Sequence, residues 1–274
     1  MIQAKRQPGG FDPSVPSQAR IYDYYLGGKD NYAADREAAE LAMQAVPQLR
    51  QLARENRSFL GRTVRFCAEA GIRQFIDIGA GLPTQENTHQ VAQRLASGSR
   101  VVYVDNDEIA VVHGCALLAD NAQTGVIQGD LRQPGEILRA PGLRRLIDLG
   151  QPVAILLLAV LHFIPDGDGP GRIVAEFRDA MAPGSYLVLS HVELSPDHAV
   201  GTEPQSEQAR MLGRAYRSAP MGSARGRAEI ARFFDGFELV DPGLVEVWDW
   251  RSDEPPLVSA SQVMTLLGGV GRKS

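Results

Sequence analysis

Cysteine is scarce in this chain of 274 residues: Cys67 and Cys115 are the only two, with no CxxC or CxxxC spacing around them. A disulfide framework and a cysteine-built metal site are thereby excluded, and both thiols are expected to be reduced core residues of a cytosolic protein. Long apolar runs are lacking as well. The longest, Val153–Leu161, is about half of the roughly 20 residues that a membrane-spanning helix needs. The opening MIQAKRQPGGFDPSVPSQ has no apolar stretch of the signal-peptide kind. Basic charge is in deficit, 28 Lys and Arg against 33 Asp and Glu for a net charge of -5, which gives no reason to expect a nucleic-acid partner. HExxH and G-x-S-x-G are missing too, so neither a zinc hydrolase nor a serine esterase is indicated, and no metal is expected. Together these absences point to a soluble, cytoplasmic protein, and the 44% of hydrophobic residues present suits one large α/β domain with appendages, or two small ones.

Residues 1–16 hold three prolines and two glycines and read as a loose arm. Helical patterns follow at about 33–45 (AADREAAELAMQA) and 48–70. In the second, Leu49, Leu52, Phe59, Leu60, Val64, Cys67 and Ala70 recur near i, i+3/i+4 spacing, and Gly71 ends the run. From there the pattern alternates. Short apolar runs at 74–78, 100–104, 125–128, 153–158 and 185–190 are separated by helical segments near 86–96, 108–120, 136–147 and 170–181. That rhythm predicts βαβ units and a parallel sheet buried on both faces. Further helices are expected near 204–217 and 224–234. GFELVDPGLVEVWDW (236–250) reads as an antiparallel hairpin turning at Asp241-Pro242-Gly243, and no element is assigned beyond Pro255. The chain divides into an N-terminal arm with helices at 1–70 and a sheet domain at 71–274.

Ligands of open parallel sheets bind beyond the carboxyl ends of the strands, so the turn in QFIDIGAGLPT (74–84) is the first place to look. Gly79 and Gly81, flanking Ala80, let backbone approach a ligand closely. Pro83 and Thr84 resemble a helix start, with Thr84 as a cap for the amides of Glu86 or Asn87, and such a terminus attracts an anion. VVYVD (101–105) ends on Asp105, placed to bridge ribose hydroxyls, with Asn106 next to it. VIQGDL (126–131) ends on Gly129, Asp130 and Leu131, where an acid can accept from an adenine amino group. Strand four runs out through Ala159 into LHFIPD (161–166) at the same edge. An acid at each of these strand ends points to an adenosine-containing ligand. A dinucleotide motif would place a third glycine at Thr84, and Asp77 would repel a pyrophosphate but suits an ammonium group. S-adenosyl-L-methionine therefore fits better than NAD, its carboxylate on the helix amides, its ammonium near Asp77 and its ribose on Asp105.

Asp77-Ile-Gly79-Ala-Gly81, Asp105, Gly129-Asp130, MAPGSYLVLSH (181–191) and the closing hairpin resemble class I S-adenosylmethionine-dependent methyltransferases. More narrowly, PSQARIYDYYLGGKDNYAADREAA (16–39), DIGAGLPTQENTH (77–89), YVDND (103–107) and RGRAEIARFFDGFELVDPGLV (225–245) are similar to an actinobacterial S-adenosyl methyltransferase family, formerly a domain-of-unknown-function family. The resemblance implies a Rossmann-like fold, with a seven-stranded, mostly parallel sheet whose last strand is antiparallel, and S-adenosylmethionine as cofactor. It implies no particular substrate.

RIYDYYLGGKDNY is too aromatic for a disordered tail and too rich in Gly, Asp and Asn for a simple helix. Tyr22, Tyr25 and Tyr32 either pack this arm onto the domain or, with Asn31, form a lid over the methionine end of the cofactor, Tyr32 on the acceptor side. His162, beside Phe163, and His191 are the candidate bases and acceptor-facing residues, because transfer to a hydroxyl or amine releases a proton. The expected partner is a small-molecule methyl acceptor. A non-catalytic S-adenosylmethionine-binding sensor and an NAD-dependent oxidoreductase remain as alternatives.

Overall fold

The computed structural model describes residues 12–83, 86–118, 121–194, 225–257 and 264–274. Helix α1 (Gln18–Leu26) stops at Gly27, which takes the left-handed conformation. Helix α2 (Ala33–Ala45) starts on its own third residue: the fully buried Asp35 carboxylate accepts the Tyr32 amide at 2.8 Å. The same carboxylate accepts the Ser17 amide at 2.9 Å and Arg20 Nε at 2.8 Å, which ties the starts of α1 and α2 together. The aromatic block is therefore a helix in its first half. Its Gly-, Asp- and Asn-rich second half is an exit loop folded back on Asp23, which accepts from the Asp30 amide and Asn31 Nδ2.

Helix α3 (Leu49–Glu69) leads into β1 (Gln74–Ile78), α4 (Thr88–Leu95), β2 (Arg100–Asp105), α5 (Glu108–Leu117) and β3 (Thr124–Gln128). Helices α6 (Pro134–Arg139) and α7 (Pro141–Arg144) stand where one helix over 136–147 is expected. Pro141 forces Ala140 out of the helical region, at ψ 129, and splits it. Then come β4 (Ala154–Leu158), α8 (Pro170–Ala180) and β5 (Tyr186–Leu194). A short helix, Arg227–Ala231, and a 3-10 turn occupy the segment expected near 224–234. The helix expected near 204–217 lies outside the described residues. Three strands close the fold: β6 (Glu238–Leu239), β7 (Val245–Glu246) and β8 (Met264–Arg272).

Among the described residues the eight strands form one sheet in the order β3-β2-β1-β4-β5-β8-β6, with β7 also on β8. Strands β1 to β5 are parallel, and β8 is antiparallel to β5 along nine residue pairs. This is the Rossmann-like, mostly parallel arrangement with an antiparallel last strand. The expected hairpin at 236–250 is not formed. Its two arms do not pair with each other; both pair with β8, as two pieces of one edge strand interrupted by Asp241-Pro242-Gly243. The antiparallel strand itself lies in the tail to which the sequence assigned no element.

Alternation along the strands divides two cores. Phe75, Val101, Tyr103, Ala154, Leu156 and Val188 face α1 to α4, together with Ile21, Tyr25, Phe59, Val64 and Trp250. Ile76, Ile78, Val102, Val104, Ile155, Leu157 and Leu187 face the side covered by α6 to α8. Helices α1 to α3 thus share a continuous core with the sheet. Cys67 is buried as expected, but Cys115 is exposed, since α5 turns it to solvent. No helix among the described residues is long and apolar enough to cross a membrane.

Candidate cofactor and acceptor site

The first turn beyond the sheet is held from β2. The Gly79 and Ala80 amides donate to the Val104 carbonyl at 2.8 and 3.3 Å, and both Gly79 (φ 73) and Gly81 (φ 66) are left-handed. The two glycines differ in what they make room for. A Cβ on Gly79 would lie 2.4 Å from Val160 Cγ2, so protein fills that space, whereas a Cβ on Gly81 would meet nothing within 4 Å among the described residues. Gly81 is the opening.

Three acids stand at the ends of β1 and β2. Asp77, 5% exposed, accepts from Thr88 Oγ1 at 2.6 Å, the one hydrogen bond it receives among the described residues. Burial pushes this carboxyl up, Asp105 adds to the rise, and Thr88 and the Arg57 guanidinium oppose it. Asp105 accepts the Gly81 amide at 2.7 Å and the Asp107 amide at 2.9 Å. Burial raises its carboxyl as well, against those two donors. Asp107 caps α5 through the Ile109 amide and accepts from Ser17 Oγ, which brings the start of α1 over the β2 end. The cap expected at Thr84 falls outside the described residues. Helix α4 begins only at Thr88, where Gln90 Oε1 accepts the Asn87 amide at 2.8 Å. A cavity of about 220 Å³ opens beside Ala80, Gly81 and Asp105 and runs between α4 and α5.

At the β3 end, the Gly129 amide donates to the Asp105 carbonyl at 2.9 Å and Leu131 is buried. Asp130 is engaged by the Arg132 guanidinium, which holds its carboxyl below the ordinary range. Asn106 is exposed on the same edge. Strand β4 runs out on Ala159, whose φ of 49 is left-handed without being glycine, a conformation that costs roughly 1–2 kcal/mol. Its amide donates to Ser190 Oγ at 2.9 Å and to the Ser190 carbonyl at 3.1 Å.

The two histidines separate here. His162 is half-buried, its ring 4.1 Å from that of Phe163 and edge-on to His191 at 5.6 Å. No described residue bonds its buried Nδ1. Burial, His191 and Arg225 hold His162 well below the ordinary imidazole range, so it is neutral near pH 7. His191 is fully buried, with Nε2 at 3.0 Å from Arg225 and Nδ1 at 2.7 Å from the Val192 carbonyl. An arginine can only donate, so Nε2 is the acceptor and Nδ1 carries the proton. Burial lowers His191 to about 4. The catalytic and acceptor-facing role expected of His191 is corrected: Nε2 is taken by Arg225 and Nδ1 by the Val192 carbonyl, and Arg225 also grips Asp166 and the Ile164 carbonyl.

The aromatic arm is packed as well. Tyr25 is 5% exposed in the core, and the Tyr22 hydroxyl donates to the Ala53 carbonyl and accepts from Asn56. The Asn31 amide group is committed to Asp23, the Gly28 carbonyl and Arg36. Tyr32 lies exposed beneath Arg20. Sequence reading missed Arg57 and Asn56 on α3. Arg57 reaches Asn87 Oδ1 at 3.1 Å beside Asp77, and Asn56 is 4% exposed. Their signal was available: Asn56 stands four residues from Leu52 and from Leu60, a polar residue on the apolar stripe.

The strand order, the antiparallel β8 and a glycine turn with an acid at each of the first three strand ends define a class I S-adenosylmethionine-dependent methyltransferase fold. The chain matches the S-adenosyl methyltransferase family over residues 4–274, and it belongs to that family. It is similar to a candidate methyltransferase from Thermobifida fusca, at 44% identity over 98% of this chain and 99% of that one, with a TM-score of 0.85. It is also similar to a DUF574 family protein from Streptomyces avermitilis, at 39% identity over 96% and 99%, with a TM-score of 0.86. TehB from Haemophilus influenzae shares the fold alone, at 13% identity over 77% and 62%, with a TM-score of 0.50. A search of curated proteins finds no match.

Proposed function

We propose that the protein is an S-adenosylmethionine-dependent methyltransferase acting on a small-molecule acceptor in the cytoplasm. The supporting observation is the pairing of an open Gly81 backbone with an under-satisfied buried carboxylate at Asp77. A buried acid with one donor suits a cationic group, and the amino-acid end of S-adenosylmethionine supplies one. Asp105 suits ribose hydroxyls. Asn106, Asp130 and Leu131 border the adenine side, with Asp130 sharing its carboxylate with Arg132. Arg57, a cation beside the same turn, suits the carboxylate. The cofactor, when bound, brings a methyl group already activated on a sulfonium.

The chain's own task is alignment and proton management. His162 suits the second: it is neutral and half-buried, and its Nδ1 has no described partner. Titration calorimetry of the whole chain with S-adenosylhomocysteine and, separately, with NAD tests the cofactor assignment. Binding of S-adenosylhomocysteine with no heat from NAD is the expected result; the reverse would return the protein to the oxidoreductases.

A further inference from the structure

A chain of hydrogen bonds crosses the molecule behind the site and ends on its strained residue. The Ala159 amide donates to Ser190 Oγ at 2.9 Å, and Ser190 Oγ donates to Asn56 Oδ1 at 2.7 Å. Asn56 Nδ2 donates to the Tyr22 hydroxyl at 3.1 Å, which donates to the Ala53 carbonyl at 3.1 Å. Ser190, Asn56 and Tyr22 each take one hydrogen and give one, so the chain has a single direction, and each link polarises the next. It passes from the end of β4 through β5 and α3 to α1. Ser190 and Asn56 are buried, at 0% and 4% exposure, where apolar side chains of similar size would fill the space.

What the chain holds is the left-handed Ala159. A non-glycine residue keeps that conformation only where its surroundings over-determine it, and such strain gathers at functional turns. Directly after Ala159, Val160 lies against the bare backbone of Gly79, and the chain then turns into His162. Ala159 therefore sets the separation between the glycine turn and the acceptor-side histidine.

We propose that Asn56 and Ser190 are positioning residues for methyl transfer, holding the Ala159 turn so that the cofactor and acceptor edges keep their spacing. The role rests on the cofactor assignment above. A purely structural polar chain would change stability and leave the affinity of the folded protein alone, which gives the test its discriminating readout. Ser190→Ala, titrated with S-adenosylhomocysteine at a temperature where it is folded, should bind about 5- to 20-fold more weakly, the range for a lost buried hydrogen bond. Adding Ala159→Gly should restore most of that loss, because glycine holds the turn without help. Tyr22→Phe removes the two links farthest from Ala159 and should weaken binding about twofold, which keeps the test usable if Ser190→Ala does not fold. Wild-type affinity in both Ser190→Ala and Tyr22→Phe, or failure of Ala159→Gly to rescue, would overturn the proposal. A wild-type chain that does not bind S-adenosylhomocysteine would overturn the cofactor assignment itself, and this role with it.

Discussion

Replacing Asp77 by Asn separates affinity from stability at one atom. The side chains have nearly the same shape, and asparagine keeps an oxygen for the Thr88 hydroxyl that now donates at 2.6 Å. What disappears is a charge that burial opposes. If Asp77 receives the cofactor's ammonium group, the variant loses a charge-assisted bond of about 1.5–3 kcal/mol, which is roughly 10- to 150-fold in the dissociation constant for S-adenosylhomocysteine. Stability should move the other way. The Asp77 carboxyl is raised in the folded chain, so between its unfolded value near 3.8 and its folded one the native state binds more protons. Its contribution to stability therefore falls as pH rises through that window and is least favourable above it. The unbound variant should melt at the wild-type temperature or higher at neutral pH, by about 2–4 °C for each kcal/mol relieved. Wild-type affinity should strengthen as pH rises through the same window, and the variant's should not. Titration calorimetry and scanning calorimetry at several pH values measure both. Affinity within twofold of wild type would refute the ammonium site; a lower melting temperature together with lost binding would show that Asp77 is a structural support.

Asp105→Ala should weaken S-adenosylhomocysteine binding by about 1.5–3 kcal/mol in a calorimetric titration, since it removes a carboxylate acceptor, and it also leaves the Gly81 amide without its 2.7 Å partner. His162→Ala should leave cofactor affinity unchanged and slow turnover by about 10²–10⁴ if His162 is the base. His191→Ala should instead lower the melting temperature, because Arg225 loses an acceptor. Neutral imidazole is the working form and His162 is shifted downward, so the rate should stay flat from pH 8 to 6.5 and fall only in more acid solution.

The parallel half of the sheet was legible because its strands are short continuous apolar runs bounded by Gly, Pro or polar turns, as QFIDI before Gly79 shows. Strand β8 was not. MTLLGGVGR contains three glycines, which weaken a strand pattern. In the fold each admits a ring: a Cβ on Gly268 would lie 2.7 Å from Phe59, one on Gly269 would lie 3.1 Å from Phe234, and one on Gly271 would lie 2.8 Å from Phe237. Those partners are far away in sequence, so the need for glycine is a tertiary fact. The same holds for His191, which looked catalytic at the end of a strand until Arg225, 34 positions on, claimed its Nε2. The acids at the strand ends were legible because backbone topology alone brings 77, 105 and 130 to one edge.

Gly79 and Gly81 were read as a pair, on the premise that two glycines in a strand-to-helix turn make room for one ligand. Their surroundings assign them different work. Val160 closes over Gly79, so that glycine joins two turns of the protein and would be required whether or not a ligand bound. Gly81 meets no neighbour among the described residues and is held by the carboxylate expected to take the ribose. The motif is therefore half packing and half recognition. The packing half reaches through Val160 to the strained Ala159 and its hydrogen-bond chain, so a substitution at Gly79 would disturb the acceptor side as much as the cofactor side, and one at Gly81 would disturb the cofactor side alone.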